Sequence, residues 1–103
     1  MTCPLTVTVR HDLGAREAKR RVDLDFRRFA QQIGVRAGDV EKDWKDNRLS
    51  FSALTMGETT SGWVEVADNV VDILVELPDS MALMARRIGR RLLREGERLL
   101  EKK

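Results

Sequence analysis

The chain has one cysteine, one histidine, two prolines and no tyrosine in its 103 residues. A lone thiol, Cys3, forms no internal disulfide, which suits a reducing compartment. There is no glycine-rich phosphate loop, no metal-ligand spacing and no Ser/His/Asp set, so no catalytic residue, cofactor or metal is expected. Asp39, Glu41, Asp43 and Asp46 lack the twelve-residue ligand pattern of a calcium loop and read as a solvated stretch. His11 stands beside Asp12, but neighbours in sequence need not meet as acid and base. It reads as a strand-to-helix junction residue that hydrogen-bonds locally. No apolar run approaches the roughly 18 residues of a membrane span. The start, MTCPLTVTVRHD, has neither the basic head nor the apolar stretch of an export signal. The expectation is a cytoplasmic protein with no integral membrane span.

What the chain does have is charge, unevenly placed. Lys and Arg total 19 and Asp and Glu 17, a net +2. Residues 1–36 hold eight basic and four acidic side chains, residues 37–79 three and ten, residues 80–103 eight and three. Basic ends therefore flank an acidic middle, and the asymmetry has to appear in the structure. The length suits a single domain over residues 1–103 that buries roughly 60–65% of its surface.

Leu5 to Val9 alternates apolar and polar with β-branched residues, a half-buried strand. Ala15, Ala18, Val22, Phe26, Phe29, Ala30 and Ile33 recur at helical steps, with Asp12 as the expected N-cap and Gly34 as the stop. Residues 35–43 read as a connector. Trp44 leads into an Asp46-Asn47 turn, and Leu49 to Ala53 alternates again. A polar loop is expected from Gly57 to Gly62. Trp63 to Ala67 and Val70 to Leu77 flank Asp68-Asn69, a two-residue hairpin. Counting back from that turn sets Val66 opposite Val71, Val64 opposite Ile73 and Trp63 opposite Leu74. Val64, Val66, Val71, Ile73, Val75 and Leu77 then share one apolar face. The other shows Trp63, Leu74 and Val70 among Glu65, Asp72 and Glu76. Pro78 ends the strand, and Asp79 or Ser80 caps a last helix over residues 80–102.

Two long helices need an apolar partner, and the Val/Ile face is the largest on offer. The expected fold is α+β, a two-layer sandwich: a mostly antiparallel, curved sheet, order β-α-β-β-β-β-α, with both helices on one face. In the last helix Met81, Met84, Ala85, Ile88, Leu92 and Leu99 make the inner stripe. Ala82, Gly89 and Gly96 fall seven apart and signal close approach of the sheet, the first helix or another subunit. Residues 93–103 are expected to overhang a sheet this small. Two surfaces stand out for interaction: Trp63, Val70 and Leu74 on the open sheet face, and Arg86, Arg90, Arg94, Leu93 and Leu100 on the last helix. The first is either covered by a terminus or loop, or is a homodimer seam or docking site. The second is either the wet side of a core helix or a basic amphipathic surface whose arginine stems lie along an interface. Nucleic acid fits poorly: no recognisable binding motif is present, and one whole face is acidic.

Arg10-His11-x-Leu13-Gly14-x-x-x-Ala18, Trp44-x-x-x-x-Leu49-x-Phe51 and Gly62-x-Val64-x-Val66, followed by an Ile/Leu-bearing last helix, resemble the polyhydroxyalkanoic acid system (granule-region) proteins. The resemblance spans nearly the whole chain and implies a cytoplasmic bacterial protein tied to polyester granules. It supplies no catalytic residues. The function expected is a non-enzymatic accessory of polyhydroxyalkanoate storage that binds the granule or a granule-associated protein. The alternative is a binder of, or enzyme for, small hydroxyacyl compounds, with a cavity lined by Met81 and Met84 between sheet and helices.

Overall fold

The structure, a computed structural model, describes residues 2–28, 40–55 and 58–101. Strand β1 (Thr2–Arg10) leads to helix α1 (Ala15–Leu24). Four strands follow: β2 (Val40–Lys45), β3 (Arg48–Thr55), β4 (Glu58–Val66) and β5 (Val70–Pro78). A 3-10 turn, Asp79–Met84, then enters helix α2 (Ala85–Leu99). The sheet is antiparallel throughout, in the order β1-β5-β4-β3-β2.

The β4–β5 register matches the sequence count: Val66 faces Val71, Val64 faces Ile73 and Trp63 faces Leu74. Ala67 N–H donates to Val70 O across the Asp68-Asn69 turn. All six residues assigned to the inner face are buried, together with Val7, Val9, Leu49, Phe51 and Ala53 from the neighbouring strands. Both helices cover this face. Ala18 and Val22 of α1 are buried, and Phe26 meets Phe51 edge-on with ring centroids 5.5 Å apart. Ile88, Leu92 and Gly96 of α2 are buried, and a Cβ at Gly96 would stand 2.7 Å from Val9 Cγ2. The small-residue line of the last helix thus answers to β1. Gly62 has a similar reason: a Cβ there would overlap the Leu74 carbonyl oxygen, and the Phe51 ring lies over the same point. Phe51 is its cross-strand partner, so the aromatic ring fills the space a side chain would have taken.

Several expectations are corrected. Residues 40–43 are strand, because β2 pairs with β3 from Val40 onward. Residues 58–62 are strand too, since Thr59 to Gly62 pair with Phe51 to Leu54. Helix α1 turns at Asp25, and residues 26–28 are helical again; Phe29, Ala30, Ile33 and Gly34 lie outside the described residues. Asp12 does not cap α1: Gly14 is the N-cap, and Asp68 Oδ1 accepts from Ala15 N–H at 3.2 Å. The last helix is not continuous from residue 80. Its first turn is 3-10, neither Asp79 nor Ser80 serves as a side-chain cap, and Ser80 bonds Glu58 instead. Fifteen α-helical residues, about 22 Å, remain.

Candidate functional site

Three places carry polar or apolar groups that the core does not explain. The first is the corner between β1 and α1. His11 is buried, with Nε2 3.1 Å from Ala67 O and Nδ1 accepting from Leu13 N–H at 3.1 Å. With Nδ1 accepting from Leu13, Nε2 is the nitrogen placed to donate to Ala67 O. His11 N–H also donates to Asn69 O at 3.0 Å. With the Asp68 cap, three bonds tie the corner to the β4–β5 turn, and the Leu13 bond holds the His11 ring within the corner. His11 thus makes the expected local bond, to Leu13, and also bonds across the fold to the β4–β5 turn.

The second place is the open sheet face. The registers lay out one row across four strands as Ser50, Trp63, Leu74 and Thr6, with Asp43 at the β2 end. Trp63 and Leu74 are half-buried neighbours. Val70 is not continuous with them, because Asp72 stands between it and Leu74 on the same face. Arg48 lies over the Trp63 ring, its guanidinium carbon 4.6 Å from the centroid, and reaches Glu65 at 2.7 Å. The like charges Glu65 and Asp72, directly opposed, each have a separate partner: Arg48 for one, the Thr8 hydroxyl at 2.8 Å for the other. Glu41, Asp43 and Glu76 have no ion-pair partner among the described residues. The sequence did not reveal Arg48 as the cover of the indole; that requires the β3–β4 register.

The third place is α2. Its inner line is Ile88, Leu92, Gly96 and Leu100, spaced by four and all buried. Leu100 is 3% exposed and belongs to the core, so it is not available as the surface residue the sequence suggested. The end of α2 is held as well. Arg21 Nη1 donates to Leu99 O at 3.1 Å and Glu101 O at 2.8 Å, a cation at the negative end of the helix. On the outer side Arg86, Arg90 and Arg94 are exposed, as is Leu93 at 38%. Leu83, just before the helix, is fully exposed. Helical spacing puts Arg86, Arg90, Leu93 and Glu97 on one outward ridge, with Arg87, Arg91 and Arg94 beside it and Leu83 preceding it in the 3-10 turn. Among the described residues none of these arginines has an ion-pair partner; Arg98 alone on α2 reaches a carboxylate, Glu95 at 3.9 Å.

Between the helices lies an open hollow of about 370 Å³ lined by Arg20, Arg28, Arg98, Leu24 and Leu99 among others. Its charges are partly spent internally. Glu17 binds Arg20 and Arg21, and these hydrogen bonds lower its pKa from 4.5 to about 2. Asp23 accepts from Trp44 Nε1–H at 2.9 Å, which, with Lys42, lowers its pKa. Met81 is buried and Met84 is exposed, so they do not line a common cavity. No cluster of His, Cys, Asp or Glu fit for a metal occurs among the described residues. No helix described is long and apolar enough to cross a membrane.

The model of one protein family, described as "Putative polyhydroxyalkanoic acid system protein", matches residues 5–100. The chain belongs to that family. A comparison with curated proteins finds no match. The matched stretch runs from β1 to the end of α2 and takes in the His11 corner, Gly62 and both candidate surfaces. The family's description refers to the polyhydroxyalkanoic acid system and names no reaction.

Proposed function

We propose that this protein is a non-enzymatic accessory of bacterial polyhydroxyalkanoate storage that acts by binding. It works in the cytoplasm, at the granule, and its contact is the outer ridge of α2. The observation that carries this is the set of arginines without ion-pair partners beside exposed Leu83 and Leu93. An exposed guanidinium is stable in water, but five on one helix, none in an ion pair among the described residues and with Glu97 the one acid on their ridge, repel one another and favour an anionic surface. Leu93 on the same ridge and Leu83 before it supply apolar contact, as in helices that lie in an interface. A granule coated with anionic or amphiphilic molecules, or a granule protein, offers both. The Trp63–Leu74 pair is a second contact available to a protein partner.

The test is co-sedimentation with isolated granules. Wild type should pellet with them. The triple variant Arg86→Gln/Arg90→Gln/Leu93→Gln, which keeps helix-forming residues on an exposed face, should lose at least about tenfold in binding, about 1.4 kcal/mol. Tagged protein that stays diffuse in polyester-accumulating cells, or a variant that binds as well as wild type, removes the proposal.

A further inference from the structure

The two candidate surfaces are complementary to each other. The sheet has a helix layer on its inner face and none of the described elements on its outer one. That outer face carries Glu41, Asp43 and Glu76 without ion-pair partners around Trp63 and Leu74. The outer face of α2 carries the arginines without partners. We propose that the chain self-associates head to tail, the α2 ridge of one copy seated on the open sheet face of the next, over Trp63 and Leu74.

Charge selects this arrangement over a symmetric one. Two open faces set against each other would bring Asp43, Asp72 and Glu76 of both copies together, and like charges across an interface are costly. Two α2 ridges back to back would do the same with arginines. Ridge against face joins opposite signs, and its geometry is compatible. Asp72 and Glu76 flank Leu74 on β5, four residues or about 13 Å apart. Arg86 and Arg94 are eight residues or about 12 Å apart along α2. A helix laid along β5 brings these pairs within arginine reach while Leu93 comes down over Leu74, beside the Trp63 ring that Arg48 covers. A contact between two different surfaces leaves one of each free at the ends, so it builds rows that grow beyond a dimer, open-ended or closed into a ring according to the rotation between copies. Association uses the same ridge as granule binding, so inside an open row each ridge but the last is covered. It does not depend on the granule proposal, because purified protein alone displays it.

The experiment is sedimentation velocity on the full chain across a concentration series, at low and near-molar salt. Mass should grow with concentration without levelling at a dimer, and high salt should return it to monomer. Two charge-reversed chains decide the geometry: Arg86→Glu/Arg90→Glu/Arg94→Glu on the ridge and Asp43→Lys/Asp72→Lys/Glu76→Lys on the face. Each alone should associate about a hundredfold more weakly, roughly fivefold per charge pair. Mixed in equal amounts they should associate again, because the acidic ridge then meets the basic face and the remaining native surfaces meet each other. A neutral ridge, Arg86→Gln/Arg90→Gln/Arg94→Gln, checks the loss should a reversed chain fail to fold by circular dichroism. A dimer that does not grow, a monomer at every concentration in low salt, or association unaffected by the neutral ridge overturns the proposal.

Discussion

Two leucines at the end of α2, one buried and one exposed, test how that end is packed. If residues 93–103 overhang, Leu100→Ala and Leu93→Ala are both surface changes worth less than about 0.5 kcal/mol. In the structure Leu100 is 3% exposed and Leu93 38%. Leu100 completes the line Ile88, Leu92, Gly96, Leu100, and the backbone on either side of it is bonded to Arg21. Truncating a buried leucine costs about 2–5 kcal/mol, transfer and cavity together. Leu100 follows the last residue of α2, on the side of Gly96, which has no side chain to pack beside it, so about 3 kcal/mol is the expected loss. Domains of this size have about 5–15 kcal/mol in all. At about 4–8 °C per kcal/mol the melting temperature should fall by about 12–24 °C. Leu93→Ala should leave it nearly unchanged. Thermal and urea melts followed by circular dichroism measure both. Equal, small shifts for the two variants would refute the packing described, and would restore the tail as a free arm. The same reasoning warns against deleting residues 93–103 to test binding, since the deletion removes part of the core.

Two further outcomes are expected. Thr60 is fully buried and its hydroxyl has no hydrogen-bond partner among the described residues; Thr60→Val, similar in shape and without the polar group, should stabilise by about 1–2 kcal/mol in urea melts, and a loss of stability would show that the hydroxyl is bonded. Glu17 has its pKa lowered from 4.5 to about 2 by Arg20 and Arg21, so its stabilising effect is complete above about pH 4.5 and is lost as pH falls toward 2. Glu17→Gln should flatten that part of the stability–pH curve in acid melts; an unchanged slope contradicts the ion pairs.

The inner face was legible because two signals agreed. Asp68-Asn69 fixed the turn, and strict alternation on both sides fixed which residues look inward. The other end of the sheet gave no such agreement. Val40 to Lys45 carries charge on both faces, and Lys42, although it points toward the helices, sits over the Phe26 ring, 5.4 Å from its centroid. An edge strand of this kind reads as a loop. Glu58 to Gly62 is rich in small polar residues and looks like a turn, yet its glycine is required by the Leu74 carbonyl and the Phe51 ring above it. The cap of α1 was beyond any local rule, because Asp68 comes from the far hairpin. The core role of Leu100 is implicit in the four-residue spacing from Ile88, but Gly96 interrupts that line with no apolar side chain to mark it.

The anchoring of α2 determines how its arginines can act. A disordered basic arm loses conformational freedom on binding and depends on the number of its charges more than on their order. Here Gly96 against Val9, Leu100 in the core and Arg21 on the terminal carbonyls hold the helix before any partner arrives. The ridge is therefore preorganised, and that ordering cost falls on folding. Position then matters more than count. Arg98 adds as much charge as Arg90, but it faces α1 and Glu95 in the hollow between the helices. Arg90 lies at the centre of the outward line. Binding that follows the total charge of residues 85–98, irrespective of which arginine is changed, belongs to a diffuse electrostatic contact. Binding that falls for Arg90 and not for Arg98 belongs to a shaped surface, and the rigid inner face of α2 is the physical reason to expect the second.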